Sequence, residues 1–166
     1  MNNNLLSKMK LFLFVLMLLP FAGISQNKNV ISTHIVFPKI SDNVNGRVKA
    51  AFASDFSTAS LVSWEKISDF YFAKFTVNQV EIDAAYNEDG DLVGTSRSMA
   101  LSELPVCISM ALAKKYKSYI VSKKALELTC NDITNYYITV VNDRQALKLK
   151  CSPNGLLMVE GKIKKK

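Results

Sequence analysis

At 166 residues, with 49% hydrophobic and 21% charged side chains, the chain has the composition of a folded protein, which excludes disorder. Its formal charge of +7 points to no nucleic-acid partner, because Lys8, Lys10 and four of the last five residues (Lys162, Lys164, Lys165 and Lys166) supply nearly all of it. A single histidine, His34, excludes a centre built on several imidazoles.

The first ten residues carry Lys8 and Lys10 and no acid. Residues 11–19 form an unbroken apolar run, followed by Pro20 and by small residues at Gly23 and Ser25. This is the pattern of a secretory signal peptide over 1–25, cleaved between Ser25 and Gln26. The run is far short of the ~20 residues a membrane-spanning helix needs, so the protein is not expected to span a membrane. No cysteine stands near the cleavage site, which disfavours a lipid anchor. The mature chain is expected in the periplasm or secreted, with 19 basic and 14 acidic residues. Residues 26–43 show no clear period, contain Pro38, and read as a lead-in with one edge strand over 30–37.

From residue 44 the pattern sharpens. Val44, Val48, Phe52 and Phe56 are four apart and mark one apolar helix stripe, capped by Asn43 or Asn45. An extended stretch over 58–64 follows. Strands are predicted over 70–77 and 80–86, joined by the tight turn Asn78-Gln79. In the second of these, Val80, Ile82, Ala84 and Tyr86 alternate with Glu81, Asp83 and Ala85, the period-two mark of a half-buried sheet. A turn over 87–90 leads to a last strand over 92–98.

The remainder reads as a second copy. A helix over 104–117 starts at Leu104 with Pro105 in its first turn. Strands are predicted over 118–128, 135–141, 145–151 and 156–163. A shift of 60 carries Val44, Val48, Phe52 and Phe56 onto Leu104, Ile108, Leu112 and Tyr116. A shift of 65 carries Tyr71, Phe75, Ala84, Tyr86 and Gly90 onto Tyr136, Val140, Leu149, Cys151 and Gly155. The reading is therefore an α+β fold of two tandem helix-plus-antiparallel-strand repeats, 44–98 and 104–163, with the helices packed on one face of the sheet. Two units this small would be marginal apart, so they are expected to form one compact body.

Few residues carry chemistry. No serine lies in a nucleophile elbow, no glycine-rich phosphate loop is present, and His34 sits in the unpatterned lead-in. No catalytic residue is assigned, and an enzyme is not expected. Cys107, Cys130 and Cys151 are an odd number for an oxidising compartment. Cys107, within the helix, reads as a buried small hydrophobe, and Cys130 and Cys151, both at strand ends, as a candidate disulfide. Asn87, Glu88, Asp89 and Asp91 gather oxygen-bearing side chains around Gly90 and form a candidate calcium loop, although the spacing is not that of an EF-hand. No other cofactor is implied.

Aromatic residues point most directly to a partner. Trp64, Phe70, Tyr71, Phe72 and Phe75 cluster in the first copy, with Tyr136 and Tyr137 in the second. Alternation sends Tyr71 and Phe75 to one face and Phe70 and Phe72 to the other, and Tyr136 and Tyr137 divide in the same way. Whichever set escapes the helices would line an interface.

The order of these pieces resembles the PepSY-like proteins of Gram-negative envelopes. The resemblance rests on the helix over 48–56 ending in an aromatic, on Trp64-Glu65, and on the aromatic strand over 70–75. The alternating strand into Asn87-Glu88-Asp89-Gly90-Asp91-Leu92 extends it. Leu104-Pro105, Lys114-Lys115-Tyr116 and Asn154-Gly155-Leu156 continue it in the second copy. The sequence departs from the pattern at Tyr116-Lys117, where Tyr-Pro is usual, and in lacking a second Trp. The resemblance implies a fold similar to the β-lactamase inhibitory protein, without catalytic residues. The expected function is an exported, non-enzymatic module that binds or inhibits another envelope protein or a peptide through its open sheet face. The alternative is a small-ligand or calcium-binding periplasmic protein.

Overall fold

The computed structural model describes residues 43–164. The signal peptide, nearly all of the lead-in with His34, and the last two lysines lie outside the described residues.

Helix α1 (Gly46–Asp55) begins where Asn45 Oδ1 accepts a hydrogen bond from the Arg47 amide at 2.9 Å, satisfying one of the amides a helix start leaves unpaired. It stops at Phe56, whose amide donates to Phe52 O. Four strands follow: β1 (Ser60–Ile67), β2 (Phe70–Val77), β3 (Val80–Asn87) and β4 (Leu92–Ala100). The β2–β3 hairpin turns on Asn78 and Gln79, both left-handed at φ 49° and 68°, the backbone a two-residue hairpin with matching twist requires. After a single 3₁₀ turn (Leu101–Glu103), in which Glu103 Oε2 accepts from the Ala100 amide, comes helix α2 (Val106–Lys115). Lys114 and Lys115 in its last turn complement the helix dipole. Strands β5 (Ile120–Val121), β6 (Lys124–Cys130), β7 (Ile133–Val141), β8 (Gln145–Cys151) and β9 (Leu157–Lys164) complete the chain.

All nine strands join one antiparallel sheet in the order β1-β2-β3-β4-β6-β7-β8-β9, with β5 beside β7. This corrects the expected fold class. Strands make up 54% of the described residues and only two short helices occur among those residues, so the architecture is a predominantly antiparallel sheet, not an α+β fold of two tandem helix-plus-strand repeats. The reason is backbone pairing. β4 hydrogen-bonds to β6 along seven residue pairs from Gly94↔Cys130 to Ala100↔Lys124, which fuses what the sequence pattern divides into a continuous sheet. A further difference is that the single strand expected over 118–128 breaks at Ser122 and Lys123. Its first part, β5, pairs with Val140 and Val141.

Both helices lie against one sheet face, over separate hydrophobic clusters. Val44, Val48 and Phe52 pack on Tyr71, Ala73, Phe75, Ala84 and Tyr86. Leu104, Ile108, Leu112 and Tyr116 pack on Met99, Ala125, Tyr136, Ile138, Val140, Leu147, Leu149 and Cys151. Two turn glycines set how closely the helices approach. Gly90 and Gly155 have φ of 91° and 88°, and a Cβ would stand 3.2 Å from Arg47 O at the first and 2.8 Å from Cys107 O at the second. Each turn thus lies against the backbone of a helix's opening turn.

Candidate interaction surface

The register assigns each aromatic to a face. Residues directly opposite in an antiparallel pair share a side, and neighbours along a strand alternate. Tyr71 pairs with Tyr86, Ala73 with Ala84 and with Trp64, and Phe75 with Ile82, so all lie on the helix side. Trp64 meets the Phe52 ring edge-on at 5.1 Å, and Phe75 meets the rings of Phe52 and Phe56 at 4.9 Å and 4.6 Å. Tyr136 pairs with Glu127 and Cys151 on the same side. These four expected partner-binding residues therefore lie on the helix side, Tyr71, Phe75 and Tyr136 in the core and Trp64 partly buried against it, and they are removed from the candidate interface on the opposite face.

Phe70, Phe72 and Tyr137 point the other way. Among the described residues no helix covers this second face. Phe70 and Tyr137 are set deep in it, 3% and 6% exposed, while Phe72 is half-buried beside Glu65 and Ala85. Charged side chains surround them. Lys74 stands opposite Asp83 on β2 and β3, next to Glu81. Lys148 and Lys150 stand on β8, with Lys148 Nζ 5.4 Å from the Tyr137 ring centre. Burial raises the Asp83 carboxyl above its usual range, opposed by Lys74 and reinforced by Glu81. Burial likewise pushes the Tyr137 hydroxyl well above the ordinary tyrosine range, with Glu160 and Cys130 adding to it. Ser96, opposite Asp83, has a buried hydroxyl with no hydrogen-bond partner among the described residues. The face thus presents one half-buried ring, Phe72, among opposite charges, acidic toward β3 and basic toward β8, with Phe70 and Tyr137 buried beneath it. Sequence reasoning did not single out Lys74, Asp83, Ser96, Lys148 or Lys150, since only the cross-strand register puts them on one surface.

The candidate calcium loop does not assemble its donors. Asn87 Oδ1 accepts from the amides of Asp89 and Asp91 at 3.0 Å and 2.8 Å, and Asn87 Nδ2 donates to Asp91 Oδ2 at 2.8 Å. Glu88 takes a hydrogen bond from Lys66 Nζ at 2.9 Å, and Asp89 faces Arg47 at 3.8 Å. The loop's oxygens are spent on its own turn and on neighbouring cations. Among the described residues no group of three or more His, Cys, Asp or Glu could hold a metal ion.

The expected Cys130–Cys151 disulfide is corrected by the same register argument. Cys151 pairs with Tyr136 on the helix side, whereas Cys130 pairs with Gly94 and Ile133 on the other, with β7 running between them. Side chains on opposite faces of separate strands cannot bond without moving the backbone. All three cysteines are free. Cys107 is exposed, not buried as the helix pattern suggested, because its side of α2 turns away from the Leu104–Ile108–Leu112 stripe. Burial raises the Cys151 thiol to about 11. It also raises Cys130, with Lys150 opposing.

No family model and no curated protein matches the chain. Solved structures do. A DUF2874 family protein from Bacteroides ovatus aligns at 21% identity with a TM-score of 0.64, covering 74% of this chain and 89% of that one. A BLIP-like protein from Bacteroides fragilis aligns at 18% identity with a TM-score of 0.63, covering 75% and 89%. A candidate periplasmic protein from Bacteroides eggerthii aligns at 17% identity with a TM-score of 0.62, covering 74% and 89%. At these identities the likeness is one of fold: this chain has the BLIP-like fold.

Proposed function

We infer that the protein is an exported, non-enzymatic module that works in the periplasm and binds another envelope protein or peptide. The binding surface is the sheet face opposite the helices. One observation carries the reading: a broad strand surface, bare of helices among the described residues, that sets the half-buried ring of Phe72, backed by the buried Phe70 and Tyr137, among Lys74, Glu81, Asp83, Lys148 and Lys150. Aromatic rings framed by charged groups make up the usual chemistry of protein recognition surfaces. The signal-peptide pattern of the first 25 residues supports export, and the fold shared with a candidate periplasmic protein supports the compartment. No described helix is long and apolar enough to cross a membrane. Membership among PepSY-like envelope proteins belongs to this reading, as does the absence of an enzymatic role.

The test is capture from a bacterial envelope extract. The protein is immobilised beside two variants, one changing the strand face (Phe72→Ala with Lys74→Glu) and one changing the exposed side of α2 (Val106→Ser). A partner held by the parent and the α2 variant, but lost by a strand-face variant with unchanged circular dichroism, supports the reading. An extract that yields no partner, or one retained equally by all three proteins, overturns it.

A further inference from the structure

The helix side of the sheet holds a second feature, independent of the strand face proposed above. α1 sits over β1–β3 and α2 over β7–β9 and the Met99 and Ala125 ends of β4 and β6, so among the described residues no helix covers the stretch of β4 and β6 that holds Thr95, Arg97 and Glu127 on that side. The resulting cleft has a volume of about 370 Å³, within the range of small-molecule sites. One wall is apolar, made by Phe56, Val77, Val80 and Ile82. The floor is polar: Thr95, Arg97 and Glu127, with Asn78 at the hairpin end.

Arg97 gives the cleft a chemical preference. It binds Glu127 through one edge only, Nε donating to Oε1 at 2.7 Å and Nη2 to Oε2 at 3.3 Å. Among the described residues no hydrogen bond reaches its Nη1, the Thr95 hydroxyl or the Asn78 side-chain amide, while Glu103 and Tyr136 also act on the guanidinium electrostatically. A guanidinium held flat on one edge offers its other edge to a second planar acceptor, and a carboxylate fits that fork with two hydrogen bonds. The apolar wall would shield a hydrocarbon part attached to that carboxylate.

We propose that this cleft binds a carboxylate carrying an apolar tail, with the head on the free edge of Arg97 and the tail along Phe56, Val77, Val80 and Ile82. A free fatty acid and the C-terminus of an apolar peptide share this chemistry. The experiment titrates the purified protein, followed by amide NMR shifts, with four probes. These are octanoate, octanol, the N-acetylated tripeptide Ala-Val-Leu as free acid, and the same tripeptide as its amide. Arg97→Lys keeps a cation beside Glu127 while removing the fork, and Val80→Asn changes only the rim of the wall, where Val80 is 36% exposed.

Octanoate shifting cleft residues and binding about tenfold more tightly than octanol, with both variants weakening it, supports a fatty-acid ligand. The same preference for the peptide acid over its amide supports a chain terminus. Equal binding of acid and neutral forms, indifference to both variants, or shifts located outside the cleft overturns the proposal. So does the absence of any shift up to millimolar probe.

Discussion

Phe52 makes the most exacting test of how α1 is held. Its ring is 8% exposed and stands 5.5, 5.1, 4.9 and 6.3 Å from the rings of Phe56, Trp64, Phe75 and Tyr86. Truncating a buried Phe to Ala costs about 3–5 kcal/mol, through lost transfer energy and the cavity left behind. Edge-on ring pairs add about 0.5–1.5 kcal/mol each beyond area, though such terms do not sum freely when they share one ring. The helix lies over the sheet and can settle partway into the void, so Phe52→Ala is expected to cost about 4 kcal/mol. For a urea dependence of about 2 kcal/mol/M, that lowers the unfolding midpoint by about 2 M. Trp64, the only tryptophan in the chain, lies edge-on to Phe52 and makes its fluorescence a local reporter of the same event. Val106→Ala, at a site 71% exposed on α2, is the control and should move stability by less than about 0.5 kcal/mol. A Phe52→Ala loss below about 1 kcal/mol would refute the claim that this ring ties α1 to the sheet.

Other consequences follow from the same geometry. Gly155→Ala should destabilise more than Gly90→Ala, by about 1–3 kcal/mol against a smaller loss, because its Cβ would meet Cys107 O at 2.8 Å rather than Arg47 O at 3.2 Å; equal melting temperatures would contradict this. Burial raises the Cys151 thiol from 9.0 to about 11 and the hydroxyls of Tyr86 and Tyr137 above their usual range, the Tyr86 group also through its hydrogen bond to Asp55. Folded pKa values above the unfolded ones give stability that is complete below the unfolded pKa and lost as pH rises, so the melting temperature should fall between pH 9 and 11. A flat profile across that window would show these groups to be solvated. In a thiol-labelling series Cys107 should react first and Cys151 only on unfolding, with all three labelled under non-reducing denaturing conditions. Recovery of only one labelled thiol would reinstate the disulfide that the register excludes.

Much of the strand pattern was legible in the residues. The alternation of Val80, Ile82, Ala84 and Tyr86 against Glu81 and Asp83 located β3, and Asn78-Gln79 located its hairpin, because local steric preferences decide such features. The four-residue spacing of Val48 and Phe52, and of Ile108 and Leu112, located both helices to within a few residues. What the candidate interface comprises was only half legible. Period two separates Tyr71 from Phe72 and Tyr136 from Tyr137, but it cannot say which of each pair meets a helix. Packing against Val48, Phe52 and Leu112 decides that, through contacts far apart in sequence.

By itself, then, the sequence determined local element type, the hairpin turns and the near-neutral charge of the body, because each depends on neighbours a few positions away. Only the tertiary structure decided that β4 joins β6 in a continuous sheet, since backbone hydrogen bonds between strands are indifferent to side-chain identity. That pairing in turn set Cys130 and Cys151 on opposite faces, gathered Lys74, Asp83, Lys148 and Lys150 onto one surface, and laid Arg97 against Glu127 in the cleft beside Phe56. Cross-strand register converts a one-residue shift into a change of face, and no local pattern in the chain specifies it.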